Sequence, residues 1–267
     1  MDAPLQPLPA LPNAWRYALY LLPPEPWYTL GTRWLGRCAL HGEPIDTDAR
    51  QPLAREAQID LTTLDRWTAD PRHYGLHATF KPPFRLAETR TVDDLDTALR
   101  RFALEQTPFT IEPALQTLRG FLAWRLRHGD PARDALHQFA DACVREFDAF
   151  RAPAPPTELA RRRQAGLSDA QERHLQRWGY PYVFDTFTFH ITLTGRLGVG
   201  AEAERLAPLM RVDLSAQPAD LFAAICLKGA DTLIHDANAP NIAARLPAWA
   251  QGELAAPSLL LLPLMVK

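Results

Sequence analysis

Two stretches of this chain carry the same alternation of apolar and polar positions. In Tyr74-Gly75-Leu76-His77-Ala78-Thr79-Phe80-Lys81, an extended backbone puts Leu76, Ala78 and Phe80 on one face and His77, Thr79 and Lys81 on the other. Far downstream, Thr188-Phe189-His190-Ile191-Thr192-Leu193-Thr194 repeats it, with Phe189, Ile191, Leu193 and Leu197 opposite His190, Thr192, Thr194 and Arg196. Each apolar face belongs in a core. Each polar face presents an imidazole, a hydroxyl and a cation, a set suited to holding a phosphate.

The surrounding pattern predicts mixed elements. Trp15 to Leu22 is aromatic and branched and reads as a strand ended by Pro23-Pro24; Trp27 to Leu40 and Leu53 to Trp67 read as helices. Pro82-Pro83 is expected to close the first His-x-Thr strand near Lys81, because proline cannot donate to a ladder. Thr91-Val92-Asp93-Asp94 opens a helix running to about Glu105. Phe109 to Thr117 and Gly120 to Leu126 form a hairpin turning at Leu118-Arg119-Gly120. A long amphipathic helix covers Pro131 to Phe150, and another runs from Ser168 to Trp178. The second His-x-Thr strand lies within Tyr182 to Leu197, followed by a helix at Glu202 to Met210 and strands at Leu221 to Lys228 and Thr232 to His235. The proline-rich and arginine-rich segment Arg151 to Gly166 reads as a link between two halves. The expected fold class is α+β, a duplication with two antiparallel sheets and outer helices around a central cleft.

Composition narrows this picture without redirecting it. At 267 residues and 47% hydrophobic, the chain can bury a substantial core. Its 29 Lys and Arg against 31 Asp and Glu give a net charge of -2, so no global basic field draws it to nucleic acid. Cys38, Cys143 and Cys226 are widely spaced, which signals neither a disulfide framework nor a zinc site and makes a reducing cytoplasm the expected location. Residues 1–14 read as a proline-rich leader, 15–235 as a single domain of two facing halves, and 236–267 as a C-terminal extension. The run Ser258 to Lys267 is too short to span a bilayer and must dock on the protein body or on a partner.

Two histidines presented alike have a direct chemical use. Imidazole is the side chain most easily tuned to accept or donate a proton near neutral pH, and a two-step proton transfer needs one group of each kind. On this reading His77 and His190 are the catalytic pair, and Thr79 and Thr192 hydrogen-bond the non-bridging phosphate oxygens. Lys81 and Arg196 neutralise the growing charge, and neither a metal nor another cofactor is needed.

The paired motifs, with the longer strings HYGLHATFKPPFRL, FDAFRAP, WGYPYVFDTFTFHITLTGRL and RYALYLLPP, resemble the two-histidine (2H) phosphoesterase superfamily. Within it, they resemble a bacterial family of phosphonate-metabolism proteins, over roughly Arg16 to Leu233. The resemblance implies a bilobal fold and a hydrolase that opens a small cyclic phosphodiester, a phosphorylated sugar or nucleotide. A terminal second phosphate on that substrate would pair with an arginine. The alternatives it leaves are an RNA 2′,3′-cyclic phosphodiesterase or 2′-5′ RNA ligase-like enzyme, and a non-catalytic nucleotide- or RNA-binding module. Oligomeric state and the division of acid and base between the histidines stay open.

Other residues are candidates for the pocket. Tyr17, Arg119, Trp124 and Tyr182 are possible walls, and Arg151, Arg161, Arg162 and Arg163 are cations in the linking segment that would grip a second phosphate. Asp185 is a candidate orienter of an imidazole. His73 sits four residues before His77, but Gly75 lies between them and the second motif has no counterpart, so a metal pair is not expected.

Overall fold

The strand β1 (Tyr17–Leu21) is buried at every position. Tyr17, Leu19 and Leu21 enter the main hydrophobic core, while Ala18, Tyr20 and the following Leu22 enter a smaller cluster with Ala39 on the opposite face. A strand buried on both faces belongs inside a sheet, and β1 is central in the order β2-β1-β6. The computed structural model describes residues 16–23, 27–107, 109–111 and 113–197, with the backbone of Leu260–Leu261.

The first sheet contains β2 (Ala78–Phe84) and β6 (Leu260–Leu261), both antiparallel to β1. The apolar end of the chain thus pairs with the protein's own central strand. The second sheet, also antiparallel, has the order β3 (Pro113–Leu118), β4 (Phe121–Leu126), β5 (His190–Thr192). Seven α-helices occur among the described residues: α1 (Trp27–Leu35), α2 (Thr47–Glu56), α3 (Leu61–Arg72), α4 (Val92–Leu104), α5 (Arg133–Glu146), α6 (Pro156–Arg163) and α7 (Asp169–Trp178). The fold is mixed helix and sheet, with two small antiparallel sheets. The expected elements at Glu202 to Met210, Leu221 to Lys228 and Thr232 to His235, and the leader, lie outside the described residues.

Local sequence explains most boundaries. Thr91 caps α4 through the Asp94 amide, and the Asp94 carboxylate returns to the Thr91 amide. Ser168 and Gln171 do the same for α7. The β3–β4 turn has positive φ at both Arg119 (50°) and Gly120 (87°), the tight hairpin geometry that matches strand twist. The expected single helix from Leu53 to Trp67 is two, because Asp60 caps a new one by accepting from the Thr63 amide.

Two strand expectations need correction. β2 continues through Pro82 and Pro83 to Phe84, which is tolerated because, among the described residues, β2 is an edge strand with one side free of ladder bonds. The second motif is shorter than expected. A turn of 3-10 helix occupies Phe184–Thr186, and β5 holds three residues.

The two sheets meet at β2, which His77 immediately precedes, and β5, which His190 opens. Phe80 of β2 packs on Phe187 and Phe189, which lead into β5, at ring separations of 6.3 and 6.4 Å. Helices then cross over. Trp34 of α1 donates to the Leu193 carbonyl at 2.8 Å, and the Gly195 amide donates to the Trp67 carbonyl of α3 at 2.6 Å. In return, Phe139 of α5 packs edge-on against Phe80 at 4.9 Å. Each histidine strand is held by helices from the other part of the chain.

Candidate functional site

His77 enters β2 from a tight approach. Gly75 has φ +76°, and a Cβ there would lie 2.8 Å from the Ala39 backbone, so only glycine fits. The Gly75 carbonyl accepts from His77 Nδ1 at 2.9 Å. Leu76 fills the space above Gly31 of α1, where any Cβ would collide with it at 2.5 Å. His190 repeats the anchor, its Nδ1 lying 2.8 Å from the Thr188 carbonyl. In both residues a backbone oxygen two positions earlier selects the tautomer with hydrogen on Nδ1, leaving Nε2 as an acceptor.

Both imidazoles are kept neutral. Burial holds the His77 pKa down at about 4, against the partial support of the Gly75 carbonyl, and the His190 charge lowers it further. His190 is also lowered, first by burial and then by Arg119 and Arg125, against the Thr188 carbonyl. The two rings are therefore within electrostatic reach of each other.

Around His77 the walls are aromatic. Tyr20, the register partner of Thr79, stacks on His77 with ring centres 3.9 Å apart and planes 23° apart. Tyr74 meets the same ring edge-on at 6.2 Å. Burial, with Tyr74 and Tyr180 nearby, pushes the Tyr20 phenol well above its ordinary pKa, so it stays a hydroxyl. Tyr180 contacts Tyr182 at 5.6 Å, and Arg119 lies over the Tyr182 ring at 4.9 Å. This chain of rings leads from His77 to the arginine that lowers the His190 pKa.

The structure brings His77, Thr79, His190, Thr192, Arg119 and Tyr182 into this region, Thr79 and Thr192 being half-buried. It separates Lys81 from them. Adjacent residues Leu19 and Tyr20 pair with Lys81 and Thr79, two positions apart, so β2 carries a bulge. The bulge turns Lys81 to the core side shared with Leu19. There it is 1% exposed, donates to the Val144 carbonyl at 3.0 Å and sits 3.8 Å from Asp148. Burial, partly offset by Asp148, lowers its pKa to about 8. Arg196 follows the end of β5 and is exposed, while Thr194 turns inward to accept from the Leu122 amide at 2.9 Å. The expected histidine-face cation is missing from both positions because neither alternation persists that far.

Other candidates are committed elsewhere. Tyr17 and Trp124 are core residues, packing on Phe84 and Trp27. Arg151 pairs with Asp148 at 2.8 Å and donates to the Arg177 carbonyl. Arg163 pairs with Glu172, and Arg161 is exposed on α6. Arg162 pairs with Glu158 at 2.7 Å and covers Tyr180 at 4.8 Å, so among the linker cations it alone approaches the tyrosine wall. Asp185 does orient an imidazole, but that of His174. His73 is exposed beside Tyr74. Among the described residues no group of three His, Cys, Asp or Glu is placed to hold a metal ion, and no helix is long and apolar enough to cross a membrane.

Residues that sequence reasoning left without a role include Tyr20, Tyr180 and Arg125. The signal for Arg125 was present in the alternation of β4, where Ala123 and Arg125 oppose Thr192 and His190. Only the pairing identifies which histidine they face.

A family described as a protein of unknown function, DUF1045, matches residues 79–245, more than half of the sequence. The chain belongs to this family. The DUF1045 chain is also 42% identical over 185 residues to the ribose 1,5-bisphosphate phosphokinase PhnN of Janthinobacterium sp. (strain Marseille), a match covering 68% of this chain and 39% of that protein. It is 36% identical over 184 residues to the protein of the same name from Laribacter hongkongensis (strain HLHK9), covering 68% and 40%. The chain thus spans about two fifths of the length of these curated relatives. No solved structure matches it. The relatives' name overturns the expectation of a hydrolase acting on a cyclic phosphodiester, because it denotes a kinase.

Proposed function

We propose that this chain serves the acceptor side of a phosphoryl-transfer reaction on a phosphorylated ribose in phosphonate metabolism. The observation that carries this reading is the matched anchoring of His77 and His190, which leaves two neutral Nε2 acceptors on adjoining edge strands. A neutral imidazole nitrogen repels a phosphate dianion but accepts readily from a hydroxyl, so the pair suits the hydroxyls of a sugar. Phosphate groups on the same sugar would meet guanidinium, which recognises them through charge-assisted hydrogen bonds. Ribose 1,5-bisphosphate, named in both relatives, combines these two chemistries.

The nucleotide side is assigned elsewhere. The loop G-x-x-x-x-G-K-[ST], which cradles nucleotide phosphates in many kinases, does not occur in this sequence. Its lysines are Lys81, Lys228 and Lys267, and Lys81 is buried against Val144. The acceptor-side role requires a dry pocket and fixed hydrogen-bonding groups, and the anchored histidines and protonated tyrosines would supply them.

Calorimetric titration of the purified chain with ribose 1,5-bisphosphate and with ribose tests the proposal. Saturable binding of the bisphosphate, weakened in His77→Ala and His190→Ala and absent with ribose, is the expected result. Absence of bisphosphate binding, or equal binding of ribose, overturns it. Phosphorus NMR after adding ATP and magnesium reads whether transfer accompanies binding.

A further inference from the structure

We infer that the site is polarised: Arg125, together with Arg119, receives a phosphate group at the His190 end, and the uncharged sugar ring lies against Tyr20 and Tyr74 at the His77 end. This rests on the phosphorylated-ribose reading above and adds the orientation of the ligand and one residue, Arg125, that determines it.

The first support is register. Arg125 of β4 pairs directly with His190 of β5, so the guanidinium and imidazole leave the sheet on the same face, while their neighbours Trp124 and Ile191 point into the core. The second is charge compensation. Arg50, Arg72, Arg100, Arg151, Arg162 and Arg163 each lie within ion-pair distance of a carboxylate. Arg125 instead donates from Nη1 to the neutral Gln116 side chain at 3.1 Å, and its buried Nε has no hydrogen-bond partner among the described residues. Arg119 lies over the Tyr182 ring. Two guanidinium groups thus flank an imidazole that they help keep neutral, with no anion among the described residues to balance them. A buried N–H of this kind normally finds an acceptor, and an oxyanion is the acceptor that also balances the charge.

Phe121 also meets the His190 ring, at 5.9 Å, whereas the His77 end differs in its charge. Its ring is stacked by Tyr20, and Tyr74 stands beside it 41% exposed. The titratable side chain that acts on His77 is the neutral His190, not an arginine or lysine. Exposed aromatic surface next to a neutral hydrogen-bond acceptor fits the apolar face and hydroxyls of a sugar, and offers nothing to a dianion.

Imidazole NMR of the full chain, titrated with inorganic phosphate and then with ribose 5-phosphate, tests this. Phosphate alone should shift the His190 ring signals and leave those of His77 in place, and ribose 5-phosphate should move both. Arg125→Gln should weaken phosphate binding about tenfold or more, with Arg125→Lys recovering part of the loss. Phosphate that shifts His77 as strongly as His190, phosphate that shifts neither, or unchanged phosphate affinity in Arg125→Gln would each overturn the polarity. A His190-selective phosphate response in a chain that ignores ribose 1,5-bisphosphate would leave the polarity standing and defeat the proposed function instead.

Discussion

The β2 edge and the β5 edge make the same anchor by different means. His77 depends on a carbonyl from Gly75, whose positive φ and contact with Ala39 exclude any side chain. His190 depends on a carbonyl from Thr188, whose backbone conformation any residue adopts. Around the first ring the neighbours are tyrosines; around the second they are Phe121, at 5.9 Å, and two arginines. A duplicated motif therefore presents one acceptor geometry in two electrostatic settings, and a ligand with a charged end and an uncharged end can tell them apart.

The largest expected effect tests whether the two halves act together. His77→Ala and His190→Ala should each weaken ribose 1,5-bisphosphate binding by about 10²-fold, the upper range for leaving a buried polar partner unpaired. Calorimetric affinities measured beside melting curves separate binding from folding. A large loss in one variant alone would break the equivalence of the pair.

Acid titration should separate them next. An unfolded histidine takes up a proton below its ordinary pKa of 6.5, whereas folded His77 resists until about 4. Stability linked to His77 is therefore complete above 6.5 and lost as pH falls toward 4, by about 3 kcal/mol. Denaturant unfolding at several pH values should show a shallower decline in His77→Gln than in wild type. An identical decline would mean that the ring is not desolvated.

The anchors give a smaller contrast. Gly75→Ala should cost about 2 kcal/mol through backbone strain and collision with Ala39, while Thr188→Ala, which keeps its carbonyl, should cost under about 1 kcal/mol. Equal losses in melting experiments would remove the asymmetry. Smallest of all, Thr79→Val and Thr192→Val should each reduce bisphosphate affinity by about fivefold, the value of one hydrogen bond. Unchanged calorimetric affinity in both would place those hydroxyls outside the ligand.

Much of the fold was legible because it is written in local signals. The Thr91 and Asp94 pair marks a helix start, Arg119-Gly120 marks a hairpin turn, and Leu136, Phe139, Ala140, Cys143 and Val144 mark one buried face of α5. Lys81 shows where such reading ends. Simple alternation assigns it to the histidine face, but one extra residue in β2 opposite β1 turns it into the core, where Val144 and Asp148 hold it. Tyr20 and Tyr180 were illegible for a related reason, since aromatic residues in or near strands are more often core than site.

What the chain determines by itself is the inventory and its spacing: two His-x-Thr motifs on short strands, helices with their caps, and an apolar face behind each histidine. The tertiary structure decided that Tyr20 stacks on His77, that Arg125 stands opposite His190, and that Lys81 serves the core. The reason is that helix caps and turns are settled by residues a few positions apart, whereas strand register depends on partners distant in sequence. A slip of one residue exchanges the faces, so which cation stands beside which histidine exists only once the sheets are paired.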